Sequence, residues 1–180
     1  IGSSNSLKDI QLNNSTTLDV EEKWNTETLS LDGSGQVKID KDLSAHVDFD
    51  TDTTLDVASG NQITGSVDNT SGSNNQGTLT LNGGNTVTGD IGSSNRLNEL
   101  KSSGSSKTTL EGTVDAQDIT ISNTATTKFQ DDVTTTNGLD FTADGTVDVA
   151  ADKQIDGSVD NTTGSNGAGT VILGDGADIT

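Results

Sequence analysis

Apolar residues recur along this chain in a frame eleven residues long. In the stretch LDFTADGTVDV, Leu139 and Phe141 are followed by five small or polar residues and then by Val147 and Val149. Alternation at each end of the frame predicts a short strand with one buried face. The middle, rich in Gly, Asp and Thr, predicts a corner. Each frame is therefore predicted to fold as a strand, a corner and a second strand.

The frame recurs along the whole chain, and shorter elements, ITGSV at Ile63 and IDGSV at Ile155, stand in the gaps. The other copies begin at Ile10, Leu29, Val47, Leu79, Leu100, Ile119 and Val171. Such a repeat buries a thin continuous core only when neighbouring units stack, and the starts are about 18 residues apart. We predict an all-β chain, a right-handed parallel β-helix (solenoid) of about ten coils with roughly 18 residues in each. Because parallel strands stack about 4.8 Å apart, the rod would be roughly 45–50 Å long.

Lone apolar residues in polar stretches predict a third inward position in each coil. They follow frame starts at a constant distance and are Trp24, Leu43, Val114 and Val133. A coil would then have three sides, two formed by the strands of the frame and a weaker third edge.

A longer period is also present. IGSSNSL at Ile1 returns as IGSSNRL at Ile91, and GSVDNTSGSN at Gly65 returns as GSVDNTTGSN at Gly157. We predict two modules, 1–90 and 91–180, within one continuous solenoid that is an excerpt from a longer array. The segments 68–77 and 160–169 contain mostly Asn, Ser, Thr and Gly and are predicted to protrude as loops.

Outward positions carry a charge pattern. Between the last two inward residues of successive frames stand Asp19, Lys38 and Asp56 in the first module and Glu111, Lys128 and Asp148 in the second. Stacked one coil apart, acid, base and acid would avoid contact between like charges. The pattern predicts that each lysine lies between the two acids of its set.

Composition alone points towards disorder, with 27% hydrophobic residues, a net charge of -19 and a mean hydropathy of -0.50. The regular apolar spacing favours an ordered repeat instead. The acidic charge argues against nucleic acid and anionic lipid as partners. Since no apolar run approaches the ~20 residues of a membrane span, we expect no direct membrane insertion.

The candidate chemistry is sparse. One histidine, His46, and no cysteine leave little from which to build a nucleophilic triad or a zinc site. Carboxylate pairs of the kind used by polysaccharide-cleaving β-helices are offered by Asp131 with Asp132 and by Asp48, Asp50 and Asp52. The second module has Asp140, Thr142 and Asp144 where the first has its aspartate run. We predict no catalytic, cofactor-binding or metal residue, and leave open whether Asp48, Asp50 and Asp52 bind calcium.

The segment from Ile63 to Leu97, ITGSVDNTSGSNNQGTLTLNGGNTVTGDIGSSNRL, resembles the passenger repeats of rickettsial surface-antigen autotransporters of the outer-membrane protein A and B type. IDGSVDNTTGSNGAGTVIL from Ile155 and the opening IGSSNSL are similar to the same repeats. The resemblance implies an exported passenger with a role in a surface layer or in host-cell adhesion.

From these observations we predict that the chain is a structural or adhesive segment of an exported bacterial surface protein, the stalk or coat of an autotransporter passenger. We expect it to be extracellular, at the bacterial cell surface. Two alternatives stay open: a self-assembling surface-layer or extracellular-filament subunit, and a polysaccharide-processing β-helix enzyme. We expect no enzymatic activity and no cofactor. The expected partners are a host-cell surface or a second copy of the chain, besides neighbouring repeats. A stalk would be monomeric, a filament subunit would associate end to end, and an enzyme would show a cleft with paired carboxylates.

Overall fold

The computed structural model describes residues 1–13 and 15–180; Asn14, which belongs to the corner predicted for the first frame, is outside the described residues. Within this part the chain is all-β without a helix, and parallel strands stack as a β-solenoid of about nine turns with about 20 residues in each. The predicted solenoid is confirmed, but its coils are fewer and longer than the sequence indicated. Partners on adjacent coils are 18 residues apart at Leu29 and Val47 but 24 apart at Val67 and Ile91, where the segment 68–77 is inserted.

Over the described residues, twenty short strands form the solenoid. They are β1 Leu7–Leu12, β2 Leu18–Val20, β3 Trp24–Leu31, β4 Gln36–Ile39, β5 Leu43–Phe49, β6 Thr54–Val57, β7 Gln62–Thr64, β8 Val67–Asp68, β9 Gln76–Leu81, β10 Thr86–Val87, β11 Leu97–Ser102, β12 Thr108–Leu110, β13 Val114–Ile121, β14 Thr126–Phe129, β15 Val133–Phe141, β16 Thr146–Val149, β17 Gln154–Asp156, β18 Val159–Asn161, β19 Thr170–Leu173 and β20 Asp178–Ile179.

Three columns of stacked inward residues define three faces, which the chain visits in the order 1, 2, 3. Face 1 carries Ile10, Leu29, Val47, Val67, Ile91, Val114, Val133, Ile155 and Ile179. Face 2 carries Leu18, Val37, Leu55, Leu79, Leu100, Ile119, Leu139 and Val159. Face 3 carries Trp24, Leu43, Ile63, Val87, Leu110, Phe129, Val149 and Leu173.

The core is formed by these columns together with further inward residues of the same strands, such as Phe49 and Leu81, and in the middle of the rod the column residues are fully buried. The predicted third inward position is confirmed at Leu43, Val114 and Val133, each at most 1% exposed, whereas Trp24 is only half-buried near the first coil. The four do not share one side, because Trp24 and Leu43 lie on face 3 and Val114 and Val133 lie on face 1.

Equivalent residues of the two modules therefore occupy different faces. Val47 lies on face 1. Four complete coils further along the chain, Val133 lies on face 1 again. Leu139, the equivalent of Val47 in the second module, comes one face later, on face 2. One module thus advances the chain by thirteen faces, or four and one third turns, and successive modules are rotated by a third of a turn about the rod.

The charge pattern is confirmed in the first module and wrong in part in the second. Lys38 is paired with Asp19 on one side and Asp56 on the other. Lys128 is paired with Asp148, but its other neighbour is Thr109 rather than Glu111. Thr108 and Leu110 both point inward, so Thr109 between them is the outward residue and Glu111 follows the end of the strand.

Candidate functional site

The two segments 68–77 and 160–169, here called the module loops, have the same internal structure. In the first loop, the Asn69 side-chain amide donates to the Ser73 carbonyl oxygen (2.7 Å), and the Ser71 hydroxyl donates to Asn69 Oδ1 (2.6 Å). In the second, Asn161 donates to the Ser165 carbonyl oxygen (3.0 Å), and the Thr163 hydroxyl donates to Asn161 Oδ1 (2.6 Å). The repeated sequence therefore sets the loop shape locally, whichever face the loop follows.

The loops also return to the rod in the same way. A Cβ atom at Gly77 would lie 2.3 Å from the ring of Phe49, and one at Gly169 would lie 2.7 Å from the ring of Phe141. Both glycines have positive φ angles, 81° and 82°, which favour glycine as well. The end of each loop is therefore packed directly over a buried phenylalanine.

The beginning of the first loop differs from the sequence prediction. Asp68 was predicted to protrude but is only 3% exposed, and Asn69 is fully buried. The Asp68 carboxylate accepts hydrogen bonds from the Ser93 hydroxyl and from the amides of Ser94 and Asn69. Burial raises the pKa of this carboxyl, but the hydrogen bonds, led by that from Ser94, outweigh it and leave the pKa below its ordinary value. The protruding part of the loop thus starts at Thr70.

Two carboxylates of the first aspartate run, Asp48 and Asp52, hold the first module loop at its two ends. Asp48 accepts hydrogen bonds from the amide and the hydroxyl of Thr70, at the start of the loop tip. Asp52 accepts a hydrogen bond from the main-chain N–H of Gly77 at the end of the loop (3.3 Å). In the second module, Asp144 accepts the equivalent hydrogen bond from Gly169 (3.0 Å). The run therefore anchors the loop at both ends.

Asp50 lies between these two anchors and faces another acid. Its pKa is raised to about 6 by burial, by a hydrogen bond with Asp32 and by the negative charges of Asp48 and Asp32. Near pH 6 and below, Asp50 therefore holds a proton.

The remaining candidates also bridge coils. Asp131 accepts a hydrogen bond from Lys153 Nζ (2.5 Å), which with the Asp132 amide lowers the pKa of its carboxyl. Asp132 accepts a hydrogen bond from the main-chain N–H of Gln154 (3.1 Å). The ring of His46 is hydrogen-bonded to the Ser66 hydroxyl on the next coil.

None of these candidate residues converges on a shared centre. Over the described residues, no three His, Cys, Asp or Glu side chains come together in a way that could hold a metal ion. Asp140 is paired with Asp160, and Thr142 hydrogen-bonds to the Ile121 carbonyl oxygen. What the structure does assemble is a pair of polar loops held by internal hydrogen bonds, one between faces 1 and 2 and the other between faces 2 and 3.

Sequence comparison gives the context for these loops. The chain is similar to outer membrane protein A of Rickettsia rickettsii. The two are 38% identical over 122 residues, which cover 62% of this chain and 5% of the rickettsial protein. The resemblance seen in the repeat sequence is thereby confirmed. No protein-family model matches the chain, and no solved structure does.

Among the described residues, no helix has the length and apolar character needed to cross a membrane.

Proposed function

We propose that the chain is a structural segment of an exported bacterial surface protein, a stalk or coat within an autotransporter passenger. The observation that carries the proposal is the likeness to a rickettsial outer membrane protein, found in a chain that folds as a β-solenoid. In a solenoid each coil contacts only its neighbours, so a rod of any length can be built from one repeat.

We further propose that the module loops are the adhesive part of this surface. The tip residues 70–75 carry no charge, although the whole chain has a net charge of -19. Their hydroxyl and amide groups suit a neutral, hydrogen-bonding partner on a host cell, because the acidic faces of the rod repel other anionic surfaces. The shared hydrogen bonds of the two loops reduce the conformational entropy that binding would cost.

Protease treatment of intact cells tests the location. On the bacterium that makes this chain, external protease should remove the epitopes of an antibody raised against the purified solenoid, while a periplasmic marker stays intact. Protection of the epitopes until the outer membrane is permeabilised would refute a surface coat.

Adhesion has a separate test. Beads coated with the purified chain should bind cultured mammalian epithelial cells, and the double variant Ser73→Asp with Ser165→Asp should bind at least several-fold less. Thr86→Asp with Thr126→Asp adds the same charge to outward strand positions whose paired residues are uncharged, and should leave binding nearly unchanged. Equal losses in the two double variants would show that the loops are not the adhesive element.

A further inference from the structure

Face 2 is the side of the rod that both module loops border. The first loop follows β8 on face 1 and precedes β9 on face 2. The second loop follows β18 on face 2 and precedes β19 on face 3. The loops therefore stand at the two opposite edges of face 2, displaced from each other along the rod.

A loop tip is accessible even where coils continue on both sides of it. The coil that follows the first loop covers Asp68 and Asn69 and hydrogen-bonds to both. Gly72, Ser73 and Asn74 at the tip are nevertheless exposed. The second loop has the same internal hydrogen bonds, so we expect its tip to project in the same way.

Between the loops, face 2 forms a polar floor. Its outward column consists of Thr80, Lys101, Thr120 and Asp140, each one coil from the next. Lys101 lies between two threonines, and among the described residues it forms no ion pair. Its amino group is therefore available to donate hydrogen bonds to a molecule that crosses the face.

The polar character of the loop tips and the floor selects the chemistry of a partner. Cores of protein–protein interfaces are built largely from aromatic and aliphatic side chains. Over the part of the chain that the structure describes, none of the exposed large apolar side chains lies on a loop tip or on face 2 between the loops. An anionic partner is disfavoured by the net charge of -19. The surface therefore fits an uncharged chain that is rich in hydroxyl groups, which is a neutral glycan.

We propose that the two module loops and face 2 between them form one docking surface for an extended neutral glycan, which crosses the rod obliquely from one loop to the other. Each loop alone binds a glycan weakly, because every hydrogen bond to the protein replaces one to water. Two loops on the same chain raise the effective concentration for the second contact. Long glycans are therefore held much more tightly than short ones.

The positions of the loops set the length of glycan that reaches both. The tips are about 21 Å apart along the rod axis, since each coil rises about 4.8 Å. Across face 2 they are about 20 Å apart, which is the length of a strand of 6 residues such as β11. The oblique path is therefore about 29 Å long, and a shorter glycan contacts one loop at a time.

The inference deepens the adhesive role proposed above and rests on it for its purpose, but the two can fail separately. Beads that adhere to cells although no neutral glycan binds the chain would identify another class of partner and would overturn the glycan surface alone. Glycan binding by a chain whose beads do not adhere would refute adhesion and leave the docking surface in place.

Binding as a function of glycan length is the first test. Neutral glycans released from the epithelial cells used above are labelled with a fluorophore, separated by length and titrated with the purified chain by fluorescence polarisation. Fractions longer than about 29 Å should bind more tightly than shorter ones, by about tenfold or more. Equal affinity at all lengths, or no binding of any fraction, would overturn the proposal.

Single loop variants show whether both loops contribute. Ser73→Asp or Ser165→Asp places an unpaired charge against a neutral partner at one loop and leaves the other loop intact. Either variant alone should bind long fractions no more tightly than short ones. Thr86→Asp on face 3 is the control and should keep the dependence on length. A length dependence that survives in both loop variants would contradict docking across the two loops.

A steric block tests the path across face 2. The chain has no cysteine, so Lys101→Cys on face 2 and Lys128→Cys on face 3 each provide a single site for a bulky maleimide-linked polymer. The polymer at position 101 should reduce the affinity for long fractions to that for short ones, and the same polymer at position 128 should leave it nearly unchanged. Circular dichroism checks that both conjugates keep the β-fold. Equal effects of the two blocks, or no effect at position 101, would show that the glycan does not cross face 2.

Discussion

At the scale of single residues, the position of a side chain in the stack decides its role more than its type does. Asp68 and Asp160 are equivalent in the repeat and have the same neighbours in sequence. Asp68 is buried because the coil that carries Ser93 and Ser94 covers it, whereas Asp160 lies on the last turn of face 2 and is exposed. The local sequence is the same, and the following coil makes the difference.

This difference can be measured with a matched pair of substitutions. Asp68→Ala removes the acceptor of buried hydrogen bonds from Ser93, Ser94 and Asn69 and should lower the free energy of unfolding by about 1–3 kcal/mol. Asp160→Ala removes an exposed carboxylate and should change it by less than about 0.5 kcal/mol. Urea denaturation of the two variants is the measurement. Equal losses would mean that the buried network does not contribute to stability.

The raised pKa of Asp50 predicts an unusual dependence of stability on pH. Between its ordinary value of 3.8 and the folded value of about 6, the folded chain binds more protons at this site than the unfolded chain does. The contribution of Asp50 to the free energy of unfolding therefore falls as pH rises through this window. Asp50→Asn removes the titration and should be more stable than the unmodified chain at pH 7, with an advantage that disappears near pH 4.

Urea denaturation at several pH values between 4 and 7 checks this expectation, and Asp40→Asn, at an exposed position, is the control for loss of a negative charge. If Asp50→Asn and Asp40→Asn show the same difference from the unmodified chain at every pH, the Asp50–Asp32 contact does not perturb Asp50.

At the scale of strands, the sequence pattern predicts the register between coils correctly around Lys38 and wrongly around Lys128. Lys38 was placed correctly between Asp19 and Asp56, because the inward residues Val37 and Ile39 flank it in a regular alternation. Lys128 was given the wrong neighbour because an inward threonine, Thr108, stands where other frames have an aliphatic residue. A buried threonine looks like an exposed one in the sequence, so the pattern places the outward residue at Glu111, two residues after its actual position at Thr109.

The corrected register predicts that two similar charge reversals differ in effect. Lys38→Glu would stack three acids about 4.8 Å apart, whereas Lys128→Glu would place one new acid between Thr109 and Asp148. The loss of stability should be of order 1 kcal/mol for Lys38→Glu and about half of that for Lys128→Glu. Both losses should shrink towards 1 M salt, where the screening length is only ~3 Å. Thermal unfolding at low and high salt tests this order, and a larger loss in Lys128→Glu would contradict the register.

At the scale of the whole molecule, the sequence predicted the solenoid and its long period but not the rotation between modules. Apolar spacing shows that Val47 and Leu139 point inward, yet three equivalent faces look alike in sequence. Telling them apart requires counting every side of every coil, including elements as short as Val67–Asp68 and the single bridge residue Ile91. The two module loops likewise look as if they share one edge until that count is made.

Distances between spin labels test the rotation directly, because a chain without cysteine accepts labels only where cysteines are introduced. Ser158 lies four coils beyond the first module loop at the same edge, between faces 1 and 2. Ser165 lies in the second loop, between faces 2 and 3. Along the rod axis the separations from Ser73 are similar, about 19 Å and about 21 Å, since each coil rises about 4.8 Å. A label pair at Ser73→Cys and Ser165→Cys should nevertheless be clearly further apart than a pair at Ser73→Cys and Ser158→Cys, because only the first pair is also separated around the rod. Similar distances for the two pairs would place both loops on one edge and would contradict the advance of thirteen faces per module.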